Sequence, residues 1–422
     1  MSGILLLLNL SLKIQLILFY QISIFLYFGA IKIASFFNPK AKLWIDGRAT
    51  VFDELNKINL TNNIYWFHCA SLGELEQGKP VIEKLKKKDP NITILLTFFS
   101  PSGYEYGKNY KTADFVFYLP IDTPSNAKKF IDIINPKKVF FIKYEFWYNY
   151  LFYLKNNSIS TYLISGIFRK DQLFFKWYGS SYKKMLECFT FFFVQNESSQ
   201  ILLNNEGYKN VLITGDTRLD RVYENSLSPE KPPLIKKFSE NKTTIIVGSS
   251  WPTEEKIFAE FIQSTNKDFK YIIAPHNINP NRITAIEELL DKDFIKYSEA
   301  TYDNISSYKI LIIDNIGILA NTYQFTDIAF IGGGFTGALH NILEPASFGN
   351  VILFGSKHEK FHEAEDLMNI EGAYEIKYVD DLIAVINHLL IGNNLEKIQK
   401  VNRNYIKAGR GATDKILQQL KI

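Results

Sequence analysis

The chain has 422 residues, of which 46% are hydrophobic and 22% are charged. This balance excludes a disordered chain, and the length suits two α/β domains better than one. The formal net charge of +4 is too small to indicate a nucleic-acid partner, although it suits a protein that works beside an anionic membrane or binds anionic ligands. The only cysteines, Cys69 and Cys188, cannot form a disulfide framework or a zinc-type cluster, which indicates a reducing compartment.

An apolar segment, Ile4–Phe37, opens the chain, with Lys13 and Lys32 as its only charges. It is long enough to cross a bilayer, but it could also lie in the membrane interface or form a buried helix of the first domain. The interfacial alternative depends on the polar residues that dilute the segment, which are Asn9, Lys13, Gln15 and Gln21. No basic region precedes the segment and no small-residue cleavage site is evident, which disfavours a signal peptide. Basic residues follow it and predict that the rest of the chain stays in the cytoplasm; these are Lys32, Lys40, Lys42 and Arg48.

Short apolar strands then alternate with amphipathic helices, which predicts parallel, doubly wound sheets. The first series of predicted strands is Ile64–His68, Ile92–Phe99, Phe115–Leu119, Lys138–Ile142, Thr161–Ile164, Phe191–Val194 and Val211–Thr214. The second series is Thr244–Gly248, Tyr271–Ala274, Lys309–Ile313, Ile328–Ile331 and Val351–Phe354, followed by a helix over Asn394–Leu420. We predict an anchor over residues 1–40, a first domain over 41–225, a proline-rich linker over 226–242 and a second domain over 243–422. Two such domains predict a ligand cleft where they meet.

The segment Ser71-Leu72-Gly73-Glu74 follows the first strand and opens a helix. Its spacing fits a capping box, in which Glu74 reaches back to the backbone amide of Ser71. The alternative is catalytic, because a carboxylate at the carboxyl end of a strand can face the ligand and take a proton from a sugar hydroxyl. The spacing alone favours the cap.

Two further motifs of the first domain carry charge beside strand ends. In Glu145-Phe146-Trp147-Tyr148-Asn149, the acid and the indole suit a sugar or a lipid headgroup, although the aromatic residues fit a core equally well. In the segment that follows Thr214, Arg218 and Arg221 can meet an anionic ligand, and the alternative is a solvated turn with Asp–Arg pairing.

The second domain contains two candidate phosphate-binding turns. Gly248-Ser249-Ser250 leads into a helix, where free amides suit a phosphate, although capping explains the same residues. Gly332-Gly333-Gly334 precedes a predicted helix and can expose amides to a nucleotide. His340, Asn341 and Glu344 crowd behind these glycines, and Glu344 can accept from ribose hydroxyl groups. The crowding favours a binding role over a plain glycine turn.

The sequence gives no support for a metal site. Its six histidines lack ligand spacing, and Asp291-Lys292-Asp293 lies in a charged stretch that reads as a helix surface. We therefore expect no metal cofactor.

In this order, the motifs resemble the 3-deoxy-D-manno-octulosonic acid (Kdo) transferases of lipopolysaccharide biosynthesis. The resemblance rests on Ser71–Glu74, Ser100–Gly103, Tyr118–Asp122, Glu145–Asn149, Thr214–Asp216, Gly332–Gly333 and His340–Ala346. It implies the glycosyltransferase-B fold, with two Rossmann-like domains facing a cleft. It also implies inverting, metal-independent transfer of Kdo from CMP-Kdo to a lipid A precursor at the inner membrane, with the catalytic domains on the cytoplasmic face.

The resemblance implies roles for single residues. Glu74 matches the family's catalytic base, and Glu145 and Arg218 are candidates for contacts with the acceptor or the donor carboxylate. The donor-binding candidates are Ser249, Ser250, His276, Gly333, Gly334, Asn341 and Glu344. Two alternatives remain for the whole chain: another nucleotide-sugar enzyme of the same fold, such as an epimerase, and a non-catalytic lipid-binding protein.

The chain departs from the family pattern at three places. Lys143 stands where the family has the first acid of Glu-x-Glu. The Pro-Arg-His segment reads Pro275-His276-Asn277, so its arginine is missing. The Gly-Asn-x-Lys-x-Asp segment reads Gly215–Asp220, with Arg218 keeping the charge of the lysine.

Overall fold

We describe the protein from a computed structural model, which covers residues 2–60, 63–290 and 293–421 and gives side chains from residue 17 onward except at 180 and 181. Asp291 and Lys292, considered above as a charged surface, lie outside the described residues. The chain forms two compact units, Met1–Arg221 with Arg410–Ile422, and Val222–Gly409. Each unit contains a seven-stranded sheet in which all paired strands are parallel. The predicted α/β class is therefore confirmed.

The first sheet has the strand order β3-β2-β1-β4-β5-β6-β7. Its central strands are buried along their whole length, because helices cover both faces, and this explains their continuous apolar sequences. The strands are β1 (Ile64–Cys69), β2 (Thr93–Phe98), β3 (Phe115–Tyr118), β4 (Lys138–Ile142), β5 (Ser160–Gly166), β6 (Phe191–Val194) and β7 (Val211–Ile213). The helices are α1 (Ser2–Ala34), α2 (Pro39–Ala49), α3 (Val51–Leu55), α4 (Leu72–Lys88), α5 (Pro101–Gly107), α6 (Pro124–Ile134), α7 (Tyr148–Asn156), α8 (Ser180–Leu186), α9 (Glu197–Asn205) and α10 (Thr217–Leu227).

The second sheet has the order β10-β11-β9-β8-β12-β13-β14. Its strands are β8 (Thr244–Ser250), β9 (Lys270–Pro275), β10 (Phe294–Lys296), β11 (Ile310–Ile312), β12 (Ile328–Ile331), β13 (Val351–Gly355) and β14 (Ala373–Ile376). Its helices are α11 (Pro233–Phe238), α12 (Pro252–Ser264), α13 (Pro280–Glu287), α14 (Leu319–Thr322), α15 (Leu343–Phe348), α16 (His362–Asn369), α17 (Val379–Leu389) and α18 (Asn394–Gly409). Short 3-10 turns lie at Leu173–Phe175, Tyr297–Glu299, Ile305–Ser307 and Tyr323–Phe325.

The C-terminal segment differs from the prediction of one helix in the second domain. It forms two helices, α18 and α19 (Ala412–Gln419), and α19 belongs to the first unit. Asp220 explains this placement, because its carboxylate accepts the backbone N–H of Gly411 at 2.5 Å and that of Thr413 at 2.7 Å. Ile416 and Leu417 then pack into the core between α4 and the first sheet.

The segment 226–242 is also more ordered than the predicted linker. It contains the end of α10 and the helix α11, and the side chains of Ile235 and Phe238 in α11 are buried. Its prolines start this helix rather than keep the chain extended, since Pro233 occupies the first helical position.

The apolar amino terminus forms the 33-residue helix α1. Its portion Ile17–Ala34 is long and apolar enough to cross a membrane by length and composition, and none of that portion is buried in the protein.

Candidate active site

The first unit has its topological switch point between β1 and β4, because the chain leaves β1 toward β2 on one side and leaves β4 toward β5 on the other. In open parallel sheets, ligands bind at the carboxyl ends of the two strands at this point. Two of the predicted motifs lie there: Ser71–Glu74 follows β1, and Lys143–Trp147 follows β4. The sheet therefore brings Glu74 and Glu145 to one edge.

Glu74 is the third residue of α4, and its carboxylate caps that helix. The backbone N–H of Ser71 donates to Glu74 Oε2 at 2.6 Å, and the Ser71 hydroxyl donates to the same oxygen at 3.0 Å. The capping box predicted from the spacing is thus present. Capping orients the carboxylate and leaves Glu74 Oε1 without a protein hydrogen bond among the contacts of the described residues, so a cap and a proton acceptor are compatible here.

The carboxylate of Glu145 contacts two ring nitrogens. The Trp147 indole donates to Glu145 Oε2 at 2.7 Å, and His68 Nε2 lies 3.1 Å from the same oxygen. On its other side, His68 Nδ1 lies 2.9 Å from the hydroxyl oxygen of Thr97, which also accepts from the Trp66 indole. The Trp147 indole nitrogen also lies 3.1 Å from His68 Nε2, so the two rings and the Glu145 carboxylate meet at one point. Glu145 is therefore held in place at the same edge of the sheet as Glu74.

The environment of Glu74 changes its acidity. Burial and the charge of Glu145 raise the pKa of Glu74 to about 7, while the hydrogen bonds from Ser71 and the charge of Lys143 act in the opposite direction. A carboxylate with this pKa is matched to proton abstraction near neutral pH. The lysine at position 143 thus has a physical consequence: its charge lowers the pKa of Glu74, which an acid at that position would raise further.

Arg218 is not an unengaged cation at this edge. Its guanidinium donates to Asp216 Oδ2 at 2.8 and 2.6 Å, and its backbone N–H donates to Asp216 Oδ1. Asp216 also accepts from the Gln77 amide, which joins the start of α10 to α4. Arg221 is paired with Glu83 at 2.9 Å. The alternative of Asp–Arg pairing in the turn is therefore present for Arg218, and the role of Arg218 toward a ligand stays a prediction.

The second unit has its switch point between β8 and β12, and both glycine-containing turns lie there. Ser249 and Ser250 end β8 and lead into α12, and Gly332–Gly337 follows β12. At Ser249 the backbone is left-handed, with φ of 51°, and the pairing with β9 shifts register between Gly248 and Ser250. This bulge turns the chain away from the sheet before α12 begins.

The glycine turn differs from the predicted phosphate loop. The backbone N–H of Gly333 donates to Glu254 Oε1 at 2.8 Å, so a carboxylate of the protein already takes the amide that we expected to bind phosphate. The helix expected directly after the glycines starts only at Leu343 and has six residues. In this structure the Gly333 amide fastens the turn to α12, and its role in donor binding stays a prediction.

The neighbouring glycines are required by backbone packing. A Cβ at Gly332 would lie 2.0 Å from the carbonyl oxygen of Ser249, and one at Gly334 would lie 2.4 Å from the backbone nitrogen of Gly355. Because neither contact involves a flexible side chain, the sites exclude any larger residue. The turn thus has a structural reason for its glycines that does not involve a ligand, and the role predicted for Gly334 in donor binding is untested by this packing.

Ser250 is also engaged within the protein. Its buried hydroxyl donates to Glu255 Oε1 at 2.7 Å, and Glu255 forms a buried ion pair with Arg282. The Ser250 hydroxyl therefore supports α12 and α13, and a ligand contact from this residue would have to use its backbone.

Three rings form a stack beside this turn. The rings of Trp251 and His276 are stacked with centroids 4.9 Å apart, and those of His276 and His340 lie 4.5 Å apart. The Trp251 indole donates to His340 Nε2 at 3.2 Å, which places the proton of a neutral His340 on Nδ1. Burial and the neighbouring His276 lower the pKa of His340 to about 4, so His340 carries no charge at neutral pH.

A pocket of about 370 Å³ opens next to the stack. Ser249 and His276 line it together with Asn277, Asn315 and Gly317, at the carboxyl ends of β8, β9 and β11. The side-chain oxygen of Asn315 is buried and has no hydrogen-bond partner. The structure thus brings two of the predicted donor-binding residues to one cavity.

Asn341 and Glu344 lie at the start of α15 and contact each other. The Asn341 amide donates to Glu344 Oε1 at 3.1 Å, and its oxygen accepts the backbone N–H of Leu343. Glu344 is half-buried in the first turn of α15 and lies near the buried Tyr323. The carboxylate is therefore oriented before any ligand arrives.

Sequence reasoning assigned no role to several residues that build these sites. In the first unit they are His68 and Thr97; in the second they are Trp251, Glu254, Glu255, Arg282 and Asn315. The one available signal was His68, a polar residue in the otherwise apolar strand β1. Among residues 2–60, 63–290 and 293–421, no group of three or more His, Cys, Asp or Glu side chains is arranged to hold a metal ion.

Comparison with known proteins adds the family. Residues 46–221 match the family model of 3-deoxy-D-manno-octulosonic acid transferases. A Kdo transferase of Aquifex aeolicus is 27% identical over 347 residues, covering 80% of this chain and 89% of that protein. One of Haemophilus influenzae is 24% identical over 372 residues, covering 84% of this chain and 86% of that protein. This chain is similar to the Kdo transferases over most of its length.

The fold agrees with that relationship. A UDP-GlcNAc 2-epimerase from Neisseria meningitidis superposes with a TM-score of 0.61 at 16% identity, covering 85% of this chain and 99% of that chain. A glycosyltransferase from Rickettsia africae superposes with a TM-score of 0.56 at 17% identity, covering 86% of this chain and 98% of that chain. Two Rossmann-like units of this kind confirm the predicted glycosyltransferase-B fold. The Kdo transferase match contains Glu74, Glu145 and Arg218, and the second unit lies beyond it.

Proposed function

We propose that this protein transfers Kdo from CMP-Kdo to a lipid A precursor of the lipid IVA type in the assembly of the lipopolysaccharide inner core. One observation supports the chemistry most strongly: within the segment similar to Kdo transferases, Glu74 lies at the switch point and has a pKa of about 7 beside the anion of Glu145. A buried carboxylate with that acidity is suited to general-base catalysis of glycosyl transfer.

In the proposed reaction, Glu74 takes the proton of an acceptor hydroxyl. The oxygen then forms a bond to the anomeric carbon of Kdo from the face opposite CMP, the bond between that carbon and the phosphate oxygen breaks, and CMP leaves with the electron pair. Glu145 positions and tunes the base, because its charge raises the pKa of Glu74 while Trp147 and His68 hold it in place. The anomeric configuration is inverted, since the attack is a single displacement.

The donor is assigned to the second unit. Ser249 and His276 line the pocket, and the unpaired oxygen of Asn315 suits the exocyclic amino group that distinguishes cytosine from uracil. Glu344, oriented by Asn341, is the proposed acceptor for ribose hydroxyls. His340 is neutral and supplies no positive charge to the phosphate, so the charge would come from backbone dipoles, His276 or Arg218. In this proposal the reaction uses no metal ion.

The proposed location in the cell rests on α1. Its apolar portion and the basic Lys32, Lys40 and Lys42 that follow support attachment to the inner membrane with the catalytic units in the cytoplasm. Arg48 also follows the segment, but its partly buried guanidinium donates to the backbone carbonyls of Leu119 and Phe99 and so faces protein.

The direct test incubates the purified full-length protein with CMP-Kdo and a tetraacylated lipid A precursor, followed by mass analysis of the lipid. We expect a mass increase of one or more Kdo units, and the same activity in the presence of a strong chelator. Release of CMP without a lipid product, or activity that disappears on chelation and returns with magnesium, would contradict the proposal. Conversion of UDP-GlcNAc to its 2-epimer would instead support the epimerase alternative, which shares the fold. Binding of the lipid without turnover would support the lipid-binding alternative.

A further inference from the structure

Helix α1 is docked onto the first unit along one of its faces. The Tyr20 hydroxyl donates to Asp122 Oδ2 at 2.5 Å, and the Gln21 amide donates to the side-chain oxygen of Asn149 at 2.8 Å. Asp122 is buried and also accepts the backbone N–H groups of Asn149 and Tyr150. The buried carboxylate therefore anchors the middle of α1 to protein and not to lipid.

The docked face continues toward the end of the helix and reaches the candidate active site. The ring of Tyr27 is stacked on that of Phe99, and Phe28 packs beside Trp44. Phe99 in turn stacks on Trp147 with centroids 4.9 Å apart, and Trp147 donates to Glu145. An unbroken row of contacts thus joins α1 to the carboxylates.

The opposite face of α1 is apolar and exposed. Its large exposed side chains are Leu18, Phe19, Ile22, Phe25, Leu26 and Ile33. Soluble proteins rarely leave a continuous apolar stripe of this size in water. One apolar face of α1 packs on the protein. Lipid is the partner suited to the other apolar face, which is exposed.

This docking conflicts with a helix that crosses the bilayer. A span over Ile17–Ala34 would place the docked Tyr20 and Gln21, with the unit they bind, inside the membrane. A span over the preceding residues 2–19 would place Asn9 and Lys13 near the bilayer centre, where a lysine costs about 3 kcal/mol. A helix lying along the membrane surface avoids both costs.

A second exposed aromatic group lies next to α1. Trp177 is 93% exposed and Tyr178 is 52% exposed, and their rings contact each other at 5.3 Å. These residues directly precede α8, which packs against α1. Lys170 and Lys176 flank them in the sequence. Exposed Trp and Tyr with neighbouring lysines fit the headgroup region of an anionic bilayer.

We propose that this protein is monotopic: α1 lies in the plane of an anionic membrane with its exposed stripe in the lipid, and the Trp177–Tyr178 loop inserts beside it as a second contact. In this arrangement α1 is a wall of the acceptor site as well as an anchor. Deletion of the helix would therefore disturb the contacts of Phe99 and Trp147 in addition to releasing the protein. The inference uses the membrane placement of the proposed function and is independent of its chemistry.

One added cysteine can show on which side of the membrane the amino terminus lies. The native Cys69 and Cys188 are buried, so a cysteine in a short Gly/Ser extension before the first residue of the full chain reports on the amino terminus alone. We expect a membrane-impermeant maleimide to label it in inside-out inner-membrane vesicles and not in spheroplasts. Labelling in spheroplasts would show that α1 crosses the membrane and would overturn the proposal. Labelling in neither preparation would also overturn it, because an in-plane helix leaves a hydrophilic extension in cytoplasmic water. Kdo transfer measured on the same vesicles separates a failed topology from a failed function.

The loop contact is tested by fluorescence. The emission of Trp177 is the difference between the wild type and Trp177→Phe, each bound to vesicles of phosphatidylcholine and phosphatidylglycerol. Lipids brominated near the glycerol end of the acyl chains should quench this difference more than lipids brominated near the chain ends, since interfacial elements insert only about 5–10 Å. Equal emission with brominated and unbrominated vesicles would show that the loop stays in water and would overturn the second contact.

Discussion

Each unit has a glutamate at the same position in the helix that follows its first switch-point strand. The residues that follow the neighbouring strand give the two carboxylates different environments. Glu74 and Glu254 are both the third residue of the helix that follows the first switch-point strand, and both accept the amide of the N-cap residue. Across the sheet, Glu74 meets the anion of Glu145, whereas Glu254 meets the N–H of Gly333. Burial raises the pKa of both carboxyl groups, but backbone N–H groups oppose the shift at Glu254.

A shared capping position therefore does not determine the role of a glutamate. A carboxylate whose neighbours are N–H groups fastens two loops together, and one that faces a second carboxylate holds a proton near neutral pH. We therefore assign chemistry to the first unit and scaffolding to Glu254.

The largest effect on turnover is expected for a substitution of Glu74 that keeps the helix cap and removes the proton acceptor. Glu74→Gln keeps the size and an oxygen for the Ser71 amide, so the cap should survive, but the proton acceptor is lost. Turnover should fall by about 10²–10⁴-fold in a steady-state transfer assay, with donor affinity unchanged. Because the folded-state pKa of Glu74 is raised, ionisation of Glu74 opposes folding as pH rises from about 4.5 to 7, so the variant should be no less stable at pH 8. Turnover near the wild-type rate would make Glu74 only a cap, and Glu76 or Glu145 the next candidate for the base.

A binding defect is expected at Glu344 in the second unit, where Asn341 orients the carboxylate. Glu344→Ala should weaken CMP-Kdo binding by about 10–100-fold, because a charged acceptor for ribose hydroxyls contributes about 1.5–3 kcal/mol. Isothermal titration with CMP-Kdo measures this. An unchanged dissociation constant in a folded variant would remove Glu344 from the nucleotide site.

The matched substitution at Glu254 should lower stability rather than turnover. The backbone N–H groups of Gly333 and Trp251 donate to different oxygens of Glu254, so the NH₂ group of Glu254→Gln deprives one of them of its acceptor. The loss should be about 1–3 kcal/mol in the free energy of unfolding. Chemical denaturation checks this value, and turnover per folded molecule should fall far less than in Glu74→Gln. If Glu254→Gln kept wild-type stability but lost as much turnover as Glu74→Gln, the proposed difference between the two units would be wrong.

The smallest effect concerns the departure at Lys143. Lys143→Gln removes a positive charge that lowers the pKa of Glu74. In a plot of kcat/KM against pH, the rise on the acid side, called the acid limb, should therefore move to higher pH by less than about one unit. The exposed Lys137→Gln is the control and should leave the limb in place. A downward movement in Lys143→Gln would mean that the charge acts on another group.

The sequence predicts the alternation of strands and helices because buried parallel strands are continuously apolar. It misses β10, which has three residues, and β14, whose sequence Ala-Tyr-Glu-Ile is not continuously apolar. The site is harder to predict because its contacts join distant residues. His68 and Glu145 are 77 positions apart, and Gly333 and Glu254 are 79 apart. The spacing of Ser71 and Glu74 presented a cap and a base as alternatives, and only the position of Glu145 shows how one residue can be both.

The central claim is that Glu74 is the base and that Glu145 sets its pKa. The most direct test is the pH dependence of kcat/KM for Kdo transfer between about pH 5 and 9 in the wild type and in Glu145→Gln. The base must be deprotonated, so kcat/KM should rise with pH and level off above about 7 in the wild type. In Glu145→Gln the limb should move to lower pH, because the neighbouring negative charge is gone while the amide oxygen still accepts from Trp147. A profile that is flat through pH 7, or a limb that Glu145→Gln leaves in place, would contradict the account.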